Sequence, residues 1–234
     1  VHESQAPVLA FCDARLAIEP AGGLTSPISL NLMPGSLVLA DLRGPRRRGA
    51  FADAAVGLNR AAEGSVLFQG RDWAEVAAEH AGAMRGRIGR LFGAGAWVPD
   101  LTVADNILLA PLYHTARSRR ALREEAAKLA AAFGLPGLPT ALPDAMSRPD
   151  LHRAGLARAF LNEPSLVILE DPMAEGEEEL LPALMAAIRT VRDRGGAVLW
   201  LTQSNAIALD RSVPVTERLR LMHGMLLPIG APAA

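Results

Sequence analysis

Two short, largely apolar runs, Ser36 to Leu42 and Leu166 to Leu169, constrain the fold more than any other feature of this chain. A strand that is hydrophobic along its whole length has both faces covered, the condition of a parallel sheet clad in helices. The second run delivers Glu170, Asp171 and Pro172 to what would be the sheet's carboxyl edge, where open α/β sheets place their ligands. The first run leads into "LRGPRRRGAF", residues 42–51, in which Gly44 and Gly49 keep the spacing of a glycine loop that cradles phosphate.

The rest of the chain supports an α/β alternation. Ser65 to Gly70 reads as one arm of a hairpin with Gly70 in its turn, Ile88 to Phe92 as a short strand, and Gly49 to Leu58 as the opening of a helix. Leu122, Ala126, Leu129 and Phe133 recur at helical spacing, with Ser118 as N-cap and Gly134 as stop. A turn-rich loop spans Pro136 to Pro143, and Asp150 caps a helix running to about Asn162. Leu180, Leu184, Ile188 and Val191 share a helix face that ends at Gly195 and Gly196. Ala197 to Thr202 is a core strand, and Arg218 to Met222 with Met225 to Ile229 forms a hairpin about His223 and Gly224.

At 234 residues with 50% hydrophobic content, the chain suits one α/β domain with a sizeable core. A net charge of −1 removes any global argument for nucleic acid as a partner. A lone cysteine, Cys12, excludes an internal disulfide, fits a reducing compartment and is expected to be a small buried or partly buried apolar residue. Val1 to Pro7 shows no basic segment leading into an apolar one, so no signal peptide is read there. No stretch approaches the roughly 20 apolar residues of a membrane span. His2, His80, His114, His152 and His223 show no metal-ligand spacing with one another or with Cys12, so no metal site is assigned.

Two longer stretches carry a resemblance: "LFGAGAWVPDLTVADNILLAPLYHT" from Leu91, and "AMSRPDLHRAGLARAFLNEPSLVILEDP" from Ala145. With them, roughly Val8 to Ile229 resembles the ATPase subunit of ABC transporters, and is most similar to the subunits of phospholipid-trafficking Mla or MCE-type systems. The resemblance implies a single domain over residues 1–234. It has a P-loop, RecA-like α/β core over about 8–92 and 164–229, an antiparallel β subdomain, and a helical subdomain over about 93–163. It also implies a transmembrane permease as partner, a dimer with a second copy or a paralogous cassette, and a cytoplasmic location against the inner face of the membrane. The groove that receives the permease's coupling helix maps to Gly93 to Trp97, Leu101 and the Leu109 to His114 region, with Trp97, Tyr113 and His114 among its residues.

Position by position, the chemistry of that family is missing. Its phosphate loop surrounds phosphate with backbone N–H groups, a Lys and a Mg²⁺-binding hydroxyl. Gly44, Pro45, Arg46, Arg47, Arg48 and Gly49 occupy the loop, Ala50 stands for the Lys, and Phe51 for the hydroxyl. Gly93 replaces the Gln that senses Mg²⁺, and Ser147, Arg148 and Pro149 replace all but the Ser of the L-S-G-G signature. Glu170 and Asp171 invert the Walker B pair, and Gln203 replaces the switch His. No aromatic for stacking adenine stands between Glu19 and Leu24. The resemblance therefore implies a pseudo-ATPase with no cofactor and a structural or regulatory role on a lipid permease.

Two other readings stand beside it. In one, the chain binds Mg²⁺-ATP and hydrolyses it, the arginines replacing the Lys while Glu170 and Asp171 share the metal and base roles; in the other, it senses a nucleotide or acidic partner without a permease. The three arginines are phosphate-binding forks, a solvated basic loop, or a group that repels a nucleotide-like closure or contacts an acidic partner. The acids from Glu175 to Glu179 either meet a second subunit at the family's D-loop or form a solvated helix start.

Overall fold

The computed structural model describes residues 5–19, 22–93, 95–173 and 178–230. Its strands are β1 (Leu9–Arg15), β2 (Ile28–Leu32), β3 (Leu37–Asp41), β4 (Glu63–Phe68), β5 (Arg71–Asp72), β6 (Ile88–Leu91), β7 (Leu166–Glu170), β8 (Ala197–Thr202), β9 (Glu217–Met222) and β10 (Met225–Pro228). Its helices are α1 (Pro45–Ala55), α2 (Ala78–Arg85), α3 (Val103–His114), α4 (Arg119–Ala132), α5 (Arg148–Phe160), α6 (Leu181–Asp193) and α7 (Asn205–Leu209).

The six-stranded sheet has the order β10-β9-β3-β8-β7-β6, parallel throughout except for the terminal β9–β10 hairpin. Its central strands are buried at every position, and the pleat sends alternate side chains into two cores. Val38, Ala40, Ile168 and Leu199 face Phe11, Phe51 and Phe68; Leu39, Val167, Leu169 and Trp200 face Phe133, Phe160 and Ile188. A second, antiparallel sheet of order β2-β1-β4-β5 covers the first core from outside. Helices α3, α4 and α5 lie between β6 and β7 in the chain and close the second core.

Local signals explain most boundaries. Ser118 Oγ accepts the Ala121 N–H at 3.2 Å and starts α4, while Gly134 takes φ +85° just past its end. Gln69 and Gly70, both at positive φ, turn β4 into β5.

Three expectations are corrected. Helix α1 begins at Pro45, not Gly49: Pro at the first helical position has φ preset for a helix, and the arginines that follow are good helix formers. The cap of α5 is Ser147, whose Oγ accepts the Asp150 N–H at 3.2 Å, so Asp150 is already in the first turn, and the helix ends at Phe160. Cys12 is exposed. Leu9 and Phe11 enter the core, so alternation turns Cys12 to the outer face; the bulge that follows, with Asp13 at φ +48°, shifts the period and brings Ala14 back inward.

Candidate functional site

Strand β3 ends on Asp41, fully buried, whose Oδ2 accepts Arg220 Nε at 2.8 Å and Arg43 Nε at 3.3 Å. Gly44 then turns the chain at φ +107°, and α1 starts at once. A phosphate loop keeps its backbone out of helix so that successive N–H groups converge on one anion. Here the Arg48 N–H already bonds back to Gly44 O at 3.3 Å, so the segment is wound into helix. Phe51 is fully buried with its ring 4.9 Å from that of Phe11, and Ala50 packs against the same core. The two positions that would carry the Lys and the hydroxyl are core positions.

The arginines of this turn have three different fates. Arg46 and Pro45 are exposed. Arg47 is paired with Glu19, inside the segment searched for an adenine-stacking ring; Pro20 and Ala21 of that segment lie outside the described residues. Arg48 points inward, is 5% exposed, and sets Nη2 3.0 Å from Asp171 Oδ2. The solvated loop does not describe Arg48, since helix periodicity aims it at the sheet's carboxyl edge, where it lines the cleft.

Both carboxylates at that edge are held by the chain's own guanidiniums. Glu170, 6% exposed, accepts Arg90 Nε at 2.8 Å and Arg90 Nη2 at 2.7 Å on a single oxygen. Arg90 Nη1 reaches Asp53 Oδ1 on α1 at 2.7 Å, Nη2 lies 3.4 Å from Gly49 O, and the guanidinium stands over the Phe92 ring. Asp171, at φ +50°, gives its other oxygen to the Thr202 hydroxyl at 3.1 Å and the Gln203 N–H at 3.2 Å. Beside these groups lies an open cleft of about 890 Å³, walled by Arg48, Gly93, Glu170, Asp171 and Gln203. A Cβ on Gly93 would lie 3.5 Å from Glu170 Oε2, so the position adjoins the acids, but glycine brings no polar side chain to them.

This arrangement does not fit Mg²⁺-ATP in the manner of a phosphate-loop enzyme. The loop that would form the cradle is helix, Phe51 stands where the resemblance expects the metal-binding hydroxyl, and the two acids that would serve metal and water are paired with arginines. Among the described residues no three His, Cys, Asp or Glu side chains are placed to hold a metal ion. At the signature position, the Ser147 hydroxyl donates to Asp150 Oδ2 at 2.8 Å, while Arg148 and Pro149 are exposed at the start of α5.

The residues expected at the permease groove form two groups. Trp97 is half-buried beneath the Arg158 guanidinium, 4.2 Å from its ring centroid, and Leu101 O accepts Asn106 Nδ2 at 3.1 Å. Tyr113 is 84% exposed at the end of α3, edge-on to His114 at 4.9 Å. Of the acids at the expected D-loop, Glu175 to Glu177 lie outside the described residues. Sequence reading missed Arg90 and Asp53; an arginine inside the otherwise apolar run Ile88 to Phe92 was the available signal.

The sequence profile of the ABC transporter family matches residues 50–174, more than half of the chain, and the chain belongs to that family. A relative in Rhizobium meliloti, Fe(3+) ions import ATP-binding protein FbpC 1, is 27% identical over 209 residues, covering 88% of this chain and 56% of that protein. Lipoprotein-releasing system ATP-binding protein LolD 1 of Chlorobium luteolum is 31% identical over 163 residues, 68% of this chain and 69% of its own length. The intermembrane phospholipid transport system ATP-binding protein MlaF of Haemophilus influenzae is 26% identical over 131 residues, 56% of this chain and 50% of that protein. The chain thus spans between half and about two thirds of these relatives. In fold it is similar to the dimeric structure of MJ0796, a bacterial ABC transporter cassette, at TM-score 0.81 and 17% identity over 93% of this chain and 96% of that one.

Proposed function

We propose that this chain is a non-catalytic cassette of a lipid-transport system of the Mla or MCE type, docked on the inner side of a transmembrane permease and paired with a second cassette. One observation carries the loss of turnover: Glu170 and Asp171 are each held by an arginine of the same chain, over a phosphate loop wound into helix. In phosphoryl transfer, positioning and electrostatic stabilisation act together, so losing the Lys, the metal hydroxyl and free carboxylates at once removes turnover rather than slowing it. The internal pairs supply the positive charge that Lys and Mg²⁺ supply elsewhere, and hold the sheet edge without ligand. The lipid assignment rests on the two resembling stretches and on relatives named for phospholipid and lipoprotein transport. The permease assignment rests on the family and on the exposed Tyr113 and half-buried Trp97 flanking the helices between β6 and β7.

The test is thermal unfolding with and without millimolar Mg²⁺-ATP, alongside a phosphate-release assay. A ligand at about a hundred times Kd adds about 2.7 kcal/mol, which is roughly 5–10 °C for a domain of this size. No shift and no phosphate release are expected. A shift specific to ATP over sulfate, with turnover, returns the chain to the hydrolysing cassettes.

A further inference from the structure

A pocket of about 390 Å³ lies between α5 and the chain that follows β6. It borders the carboxyl-edge cleft at Phe92, Gly93 and His152, yet none of Arg48, Glu170, Asp171 and Gln203 lines it. Leu91, Phe92, Trp97 and Leu151 give it apolar walls. Gly155 keeps it open, since a Cβ there would lie 2.9 Å from Leu91 Cδ1 and 3.9 Å from Trp97 Cζ2. Arg148 and Arg158 line the pocket and no carboxylate does.

Neither cation is answered. Arg158 stands over Trp97, 4.2 Å from the ring centroid, with the Phe92 ring at 5.3 Å. Its Nη groups donate to Gly95 O at 2.6 Å and Ala96 O at 2.9 Å, and its Nε is buried without an acceptor. Ring faces and carbonyls fix a guanidinium without cancelling its charge, and burial lowers the pKa of Arg158 to about 10. Arg148 is exposed at the start of α5. Among the described residues, no ion pair involves either arginine.

Arg148 and Arg158 are ten residues apart on one helix, about 15 Å along its axis at 1.5 Å per residue. The cations therefore stand at opposite ends of the helix segment that lines the pocket, with Leu151 and Gly155 between them. A monoanion would leave one guanidinium unanswered, and a nucleotide concentrates its charge at one end. The volume falls at the low end of small-molecule sites, about 300–1,000 Å³. We propose that this pocket binds a small linear dicarboxylate, one carboxylate on Arg158 at the Trp97 end, the other on Arg148 at the mouth, and the apolar chain over Leu151 and Gly155. Guanidinium and carboxylate match as planar forks, and the partly desolvated walls strengthen each pairing relative to water. Neither the permease reading nor the loss of turnover is needed for this assignment.

The test is isothermal titration calorimetry of the full chain with sebacate and with decanoate below its micellar concentration, a pair that exchanges one carboxylate for a methyl group. At low ionic strength sebacate is expected to bind at one site about threefold or more tighter, the scale of one partly exposed ion pair, although decanoate is the more apolar acid. The preference falls as salt is added. Arg148→Ala, at an exposed position, is expected to leave decanoate binding in place and remove the preference for sebacate. Gly155→Met puts a good helix former into α5 and fills the pocket against the movable end of Leu91, so both acids lose binding while thermal unfolding reports a folded chain. Should Gly155→Met fail to fold, Arg148→Ala still decides. Decanoate binding as tightly as sebacate, saturable binding by neither, or an unchanged preference in Arg148→Ala overturns the proposal. Displacement of sebacate by millimolar Mg²⁺-ATP would put the acid in the carboxyl-edge cleft and overturn it too, whereas ATP turnover with sebacate still bound would count against the non-catalytic reading alone.

Discussion

Replacing Arg90 by methionine removes a guanidinium that is 9% exposed at its side chain and leaves Glu170, 6% exposed, with no cation on its Oε1. Breaking a buried pair by deleting one partner costs about 3–5 kcal/mol, because the remaining charge stays desolvated. The contact to Asp53 adds little, since Asp53 is 34% exposed and screened by water. At roughly 2–4 °C per kcal/mol for a domain of this size, Arg90→Met is expected to lower Tm by about 6–20 °C. The double variant Arg90→Met/Glu170→Met supplies the decisive comparison, because replacing both members of a buried pair with apolar groups is often neutral or stabilising. Calorimetry on wild type, both single variants and the double variant gives the coupling directly. The reasoning is refuted if Arg90→Met loses less than about 1 kcal/mol, or if the double variant is no better than Arg90→Met alone.

Three further outcomes are expected. Ala50→Lys/Phe51→Ser, which restores the family's residues, yields no phosphate release, because α1 still starts at Pro45; it loses several kcal/mol from the Phe51 contacts, about the 3–5 typical of emptying a buried aromatic site. The side-chain hydrogen bond from Thr102, then Arg119, holds Asp105 below its ordinary 3.8, so its contribution is present above that pH and is lost as pH falls through the folded value. Carbon-13 titration of the carboxyl, with Asp105→Asn flattening the acid limb of the unfolding curve, checks this. Cys12 is expected to react with a thiol reagent as fast in the native chain as in urea; a strongly protected native thiol would contradict its place on the outer face of β1.

How much of this was legible depended on the range of the interactions involved. Strands β3, β7 and β8 are continuous apolar runs, and α4 and α6 are amphipathic at helical spacing, so each announces itself within its own few residues. Strand β1 does not: Ala10, between the inward Leu9 and Phe11, is buried too, so the run shows no alternation that would mark Cys12 as outward-facing. The helical start at Pro45 was available from the Gly-Pro step, but the spacing of Gly44 and Gly49 drew the reading to a loop.

The amino-acid sequence by itself determined that Ala50, Phe51 and Pro149 stand where the resemblance expects Lys, a metal-binding hydroxyl and a signature glycine, because the identity of a side chain is a local fact. Only the tertiary structure decided what replaces them. Arg48 lies on α1, Asp171 just beyond β7, and Arg90 on a neighbouring strand beside both Glu170 and Asp53. Those pairings follow from parallel register at the sheet edge and from the face that α1 turns inward, and an ion pair between residues far apart in the chain leaves no periodicity for a sequence to show.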